Sequence, residues 1–169
     1  KIFARILQTR LSEAIDTHLR TTQFGFRQNR SCSKPIHVVR RLMEQTEAGK
    51  DPLFLFFLDW EKAFDKVNPE ALFRTLERME VPEKYINLIK QMYKSPKFFV
   101  NIDGFASKEH EQHQGLGRGA HFPPTFFVIF MTVFMHDVQA QYEREVGMAP
   151  EYTSPQTFFD LEYADDVLL

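Results

Sequence analysis

A single cysteine, Cys32, stands among the 169 residues. It has no partner for a disulfide within the chain, which suits an intracellular setting. No apolar run has the length of a membrane span. The stretch Phe122–Val138 is interrupted by Pro123 and Pro124 and falls short of the about 20 residues a spanning helix needs. No signal-peptide pattern opens the chain. The first residue is Lys1 and not Met, which predicts a piece of a longer protein. There are no repeats, low-complexity tracts or linkers, and the length favours one domain with one core. A positive surplus is missing too: 21 Lys and Arg face 23 Asp and Glu, for a net charge of −2. His110, His113 and His121 have no cysteine nearby and match no zinc spacing; they read as scattered surface histidines.

What is present is unevenly placed. Residues 1–50 hold ten Lys and Arg against four Asp and Glu, whereas residues 51–169 hold eleven against nineteen. A basic front half suits phosphates and an acidic back half suits cations; solvated helix faces would give the same counts. Hydrophobic residues make up 43% and Phe alone occurs 18 times, enough for a packed core.

The pattern along the chain is mixed α and β. Residues 3–18 are amphipathic at helical spacing. A second helix starts at Ser33 to Pro35 and runs to about Gly49, a candidate left-handed stop. Leu53–Leu58 is a continuous apolar run of strand length, as for a strand buried on both faces. Asn68-Pro69-Glu70 supplies cap, first-position proline and first-turn acid for a helix to about Met79. Another helix runs from Pro82-Glu83 to about Lys94. Asp103-Gly104 is a hairpin turn between 97–103 and 105–112. A long helix follows over Phe126–Arg144, and a last hairpin pairs 156–163 with 167–169.

Two acidic sites carry chemistry. Asp165 and Asp166 are adjacent in Phe159-Asp160-Leu161-Glu162-Tyr163-Ala164-Asp165-Asp166-Val167-Leu168-Leu169. Neighbouring carboxylates repel, and a divalent cation removes the conflict; the alternative is a polar turn between edge strands. Asp59 ends the apolar run upstream. Three carboxylates on neighbouring strands would suit two metal ions about 3.5–4 Å apart, the arrangement that clamps attacking and leaving oxygens in phosphoryl transfer. Asp65, six residues on, reads as a local cap or ion pair.

These segments resemble the palm of reverse transcriptases, most closely those of non-LTR retrotransposons and more distantly those of group II introns. Tyr163-Ala164-Asp165-Asp166 is similar to the family's catalytic hairpin. Leu58-Asp59-Trp60-Glu61-Lys62-Ala63-Phe64-Asp65-Lys66-Val67 is similar to its first metal-binding segment, and Gln23-Phe24-Gly25-Phe26-Arg27-Gln28-Asn29-Arg30-Ser31 to its fingers segment. The three occur in the family's order across nearly the whole chain. The resemblance implies an α+β fold of fingers and palm, with an antiparallel palm sheet, packed helices and an incomplete C-terminal side. Residues 1–50 would form the fingers-like part of a partial reverse transcriptase domain and 51–169 mainly the palm.

The resemblance further implies RNA-directed DNA polymerisation on an RNA template, from a DNA or RNA primer, with deoxynucleoside triphosphates. Asp59, Asp165 and Asp166 would be catalytic ligands of Mg²⁺, or of Mn²⁺ in its place. Phe64, five residues after Asp59, would wall off the sugar 2′ position, or else be one more core phenylalanine. Arg27 and Arg30 would approach template or triphosphate, or else be solvated. Tyr163 would pack at the primer end, or within the hairpin. No membrane and no obligate protein partner is implied.

Residues 114–127 depart from the family's pattern. Gly115, Leu116, Gly119, Pro124 and Phe127 match it. Gly117 stands in place of Arg, Arg118 in place of Gln, Ala120 in place of Cys, His121 in place of Pro and Pro123 in place of Ser. In the family, the positions of Arg118 and Gly119 line the nucleotide pocket. Arg118 would contact a triphosphate or obstruct the pocket, so an inactive retroelement remnant with weak nucleic-acid binding stands as the second reading. An RNA-templated RNA polymerase shares paired palm aspartates; Phe64 and the fingers segment weigh against it.

Overall fold

A computed structural model of the protein describes residues 2–94, 97–111, 124–147 and 160–169. Helix α1 (Ile2–Ile15) buries Leu7, Leu11 and Ile15, one stripe at four-residue spacing, and leaves Ile2, Phe3 and Ile6 in solvent. It tightens into a 3-10 turn over Asp16–His18, a common way to close a helix. Helix α2 (Ser33–Gly49) ends where expected, but its left-handed stop falls one position later. Gly49 is still helical, and Lys50 takes the left-handed conformation with φ 57°. The stop comes from Asp51-Pro52, because a residue before proline is barred from helical geometry.

Strand β1 (Phe57–Leu58) and the single turn α3 (Ala63–Lys66) follow. Helix α4 (Pro69–Arg78) starts as the sequence predicts: the Glu70 amide donates to Asn68 Oδ1 at 2.8 Å, with Pro69 in the first position. Helix α5 (Glu83–Tyr93) buries Ile86 and Ile89. The Asp103-Gly104 turn has positive φ at both residues, 51° and 86°, the geometry that two-residue hairpins favour. Its arms form two short ladders, β2 (Lys97–Phe98) with β5 (His110–Glu111) and β3 (Asn101–Ile102) with β4 (Phe105–Ala106). They are interrupted where the Val100 amide donates to Ser107 Oγ at 3.0 Å. Helix α6 (Pro124–Gly147) comes next, then the hairpin β6 (Leu161–Tyr163) and β7 (Asp166–Leu168).

The fold is α+β: an open antiparallel sheet in the order β1-β7-β6, flanked by packed helices. Its main core gathers α1, α4, α5 and α6 through Leu11, Leu72, Leu76, Ile89, Phe126 and Ile129, with Val167 from the sheet. Each such aliphatic side chain contributes about 1.5–3 kcal/mol by leaving water. Leu161 and Leu168 join a smaller cluster with Phe24. Arg78 grips Asp137 through two hydrogen bonds of 2.6 Å, tying α4 to α6.

The apolar run Leu53–Leu58 corrects the expectation of a doubly buried strand. Only Phe57 and Leu58 are strand, and Phe54, Phe56 and Phe57 are 75%, 63% and 75% exposed. β1 is an edge strand, and among the described residues only Leu55 of this run packs against the small cluster. A continuous apolar run marks a buried strand only where both faces are covered. No helix among the described residues is long and apolar enough to cross a membrane.

Candidate active site

The register of the sheet brings the two acidic segments together. Phe57 pairs with Leu168 and Leu58 with Val167, so Asp59, one residue on, comes level with Asp166, which opens β7. Asp165 sits in the turn beside it, between the paired Tyr163 and Asp166. The charges interact. The Asp166 carboxyl is raised above its ordinary value, first by partial desolvation and then by the charges of Asp165 and Asp59. Three hard oxygen donors that repel one another suit a Mg²⁺- or Mn²⁺-class cation by chemistry. They are not closed around one: among the described residues, no group of three or more His, Cys, Asp or Glu is gathered tightly enough to hold a metal ion. Beside the carboxylates, a groove of about 470 Å³ runs between the sheet and α2, lined by Ile36, Val39, Leu58, Asp59, Tyr163 and Asp166.

The turn itself is held from behind. Gln23 pairs with Glu162 of β6 in an isolated parallel bridge. The Glu162 amide donates to the Thr22 carbonyl at 2.9 Å and the Phe24 amide to the Glu162 carbonyl at 2.8 Å. This brings Gly25 so near the turn that a Cβ there would lie 2.3 Å from the Ala164 nitrogen. Gln23 is wholly buried. Its Oε1 accepts from the Gly25 amide at 2.8 Å and the Ala164 amide at 2.9 Å. Its Nε2 donates to Glu162 Oε2 at 3.0 Å and the Ala164 carbonyl at 3.3 Å.

Arg20 lies behind these. Its guanidinium donates to Asp160, to Glu162 Oε1 at 2.9 Å and to Gln139 Oε1 on α6 at 2.9 Å. Asp160 also accepts from Thr22 Oγ1 at 2.9 Å. Burial and the neighbouring Asp160 carboxylate push the Glu162 carboxyl up to about 8, against the opposing pull of Arg20.

The other sequence-predicted residues fall as follows. Phe64, on α3, is half-buried. It stacks on Phe127 of α6 at 4.1 Å between ring centroids and meets Phe26 edge-on at 6.3 Å. Tyr163 is 40% exposed on β6. Arg27 donates to Asp16 Oδ1 and to the Asp16 and Arg20 carbonyls, each at 2.7 Å. Arg30 lies 5.4 Å over the Phe24 ring and donates to the Thr21 carbonyl. Both arginines are thus engaged in shaping the loop that carries Gln23. Asp65 lies in the single turn of α3. Arg118, Gly119, His113 and His121 lie outside the described residues.

Arg20, Gln23, Asp160 and Glu162 are the residues that sequence reasoning missed. A signal existed. Asp160 and Glu162 alternate along a strand and so share one face, and two acids on a buried face call for a cation partner or a retained proton.

Comparison with known proteins settles the lineage. The model of the family described as reverse transcriptase (RNA-dependent DNA polymerase) matches residues 1–169. The chain belongs to the reverse transcriptase family. It is 25% identical over 164 residues to the Pol polyprotein of the type-2 retrotransposable element R2DM of Drosophila melanogaster, covering 97% of this chain and 15% of that protein. It is 27% identical over 132 residues to the RNA-directed DNA polymerase of the mobile element jockey of the same species, covering 77% and 14%.

Among solved structures, a telomerase from Candida albicans in complex with a telomeric RNA fragment matches with a TM-score of 0.64 at 14% identity, over 98% of this chain and 29% of that one. An apo telomerase from Candida tropicalis matches at 0.59 and 12%, over 97% and 32%. These likenesses concern the fold. The chain spans about a seventh of the length of these retrotransposon relatives. Within its family it is related to the reverse transcriptases of non-LTR retrotransposons.

Proposed function

We propose that this domain is the nucleotidyl-transfer part of an RNA-directed DNA polymerase of a retrotransposon-like element. The observation that carries the reading is the sheet register, which sets Asp59 level with Asp166 beside Asp165. Asp59, Asp165 and Asp166 would hold Mg²⁺, or Mn²⁺ in its place. Bound there, one cation would acidify the primer 3′-hydroxyl and a second would neutralise the triphosphate and the leaving pyrophosphate. The primer 3′-oxygen bonds to the α-phosphorus of a deoxynucleoside triphosphate as the bond to the bridging oxygen breaks, and pyrophosphate departs.

The remaining residues position the reactants. Phe64, backed by Phe127, supplies a flat hydrophobic wall for the sugar 2′ side. Tyr163, exposed on β6, packs the primer end. Arg118 and Gly119 border the nucleotide. Arg27 and Arg30 would meet template or triphosphate only by exchanging their present loop bonds. Residues 1–50 act as fingers and 51–169 mainly as palm, with RNA template and a DNA or RNA primer as partners, in an intracellular compartment that is the nucleus for a eukaryotic element.

Gly117 and Arg118, where the family carries Arg and Gln, support a second reading as an inactive remnant. Primer extension on an RNA template, in a chain extended to the relatives' length, separates the two. Extension that Asp165→Asn abolishes supports the polymerase. No extension from a folded long chain, rescued by Gly117→Arg with Arg118→Gln, supports decay confined to the pocket. No rescue supports a remnant.

A further inference from the structure

We infer that Gln23 is a positioning residue for Asp165 and Asp166: its buried amide clamps the strained turn that aims both carboxylates. The inference rests on the reading of these aspartates as the cation site. The strain is local. Ala164, the residue before Asp165, is held at φ 59°, a left-handed conformation that a Cβ disfavours and that persists where surrounding structure over-determines it. Gln23 provides that determination. It bonds both the amide and the carbonyl of Ala164, so the peptide groups on either side of the strained residue are fixed from one side chain.

The chemistry selects glutamine. The site presents two backbone N–H groups to one side-chain atom, and a carbonyl plus a carboxylate oxygen to the other. An amide has one accepting oxygen and one donating nitrogen with two hydrogens, and every one of these is used. Glutamate has the same shape, but would set a second oxygen against the Ala164 carbonyl, which has no proton to give. The clamp is itself anchored, since Arg20 fixes the far oxygen of Glu162. The missing Cβ of Gly25 lets the clamping segment approach the turn.

Two readouts test this on the chain as it stands: amide hydrogen exchange at Ala164 relative to Leu168, and Mn²⁺ affinity by titration. In the parent, the Ala164 amide should exchange slowly, as a buried donor to Gln23. Fast exchange there overturns the clamp whatever the variants do. Gln23→Glu should speed Ala164 exchange by about tenfold or more relative to Leu168 and weaken Mn²⁺ binding by a similar factor. The double variant Gln23→Glu with Glu162→Gln restores one donor facing one acceptor and should recover most of both losses, which a general loss of stability would not.

Unchanged Mn²⁺ affinity in Gln23→Glu despite a freed Ala164 amide overturns the positioning role while leaving the cation site intact. Absence of Mn²⁺ binding in the parent overturns the cation reading, and the positioning role with it.

Discussion

Two arms bring the carboxylates together, and they are held very differently. The β6–β7 hairpin is backed by a buried network in which Arg20, Gln23, Asp160 and Glu162 satisfy one another's polar groups. The arm carrying Asp59 has its backbone ladder to β7, Leu55 against the small cluster and Trp60 edge-on to Phe134 of α6 at 5.6 Å, while Phe54, Phe56 and Phe57 stand in solvent beside it. One arm is held by a buried polar network; the other by a backbone ladder and a few apolar contacts. Asp59 is level with Asp166 and raises its carboxyl, yet no three-ligand cluster is closed among the described residues.

Breaking the strong arm should cost most. Arg20→Ala leaves Asp160 and Glu162 buried without their cation and should destabilise the fold by about 3–5 kcal/mol, read from the midpoint of denaturant unfolding. A loss under about 1 kcal/mol would erase the distinction between the arms.

Gly25→Ala forces a Cβ to 2.3 Å from the Ala164 nitrogen. Overpacking of this kind should cost about 1–3 kcal/mol by the same measurement.

The network should also show in pH. Glu162 has its carboxyl raised from 4.5 to about 8 by burial and Asp160. The folded state therefore binds more protons than the unfolded state between those values, and stability falls as pH rises through that window. The stability of the parent relative to Glu162→Gln should be greatest near pH 4.5 and decline toward pH 8. Thermal melts of both across that range check the sign. The smallest effect should come from the weak arm. Phe57→Ser, at a position 75% exposed, should shift stability by no more than about 0.5 kcal/mol.

The same contrast marks what could be read from the sequence. Elements with local chemistry were legible: Asn68-Pro69-Glu70 starts α4, Asp103-Gly104 turns its hairpin, and the amphipathic stripe of α1 faces the core. The sheet that carries the carboxylates followed from the ordered segments and their resemblance to a family. The burial of Leu53–Leu58 was misread, because hydrophobicity records what a strand tolerates and says nothing of whether a partner covers it. The network behind the turn was missed because Arg20 meets Asp160 and Glu162 across about 140 residues of chain, a distance over which no periodicity carries. Arg27 had two readings in sequence, a ligand contact or a solvated charge. The structure engages it with Asp16 and loop carbonyls, which neither reading described.

The claim that the two arms close on one cation is tested most directly by titrating Mn²⁺ into the isotopically labelled chain and following paramagnetic broadening of its amides. The account predicts broadening centred on Asp59 and on residues 163–167, with both arms affected at the same Mn²⁺ concentration, and loss of the effect at both arms in Asp165→Asn. Broadening of the hairpin alone, with Asp59 untouched, or a pattern that survives Asp165→Asn, would contradict it.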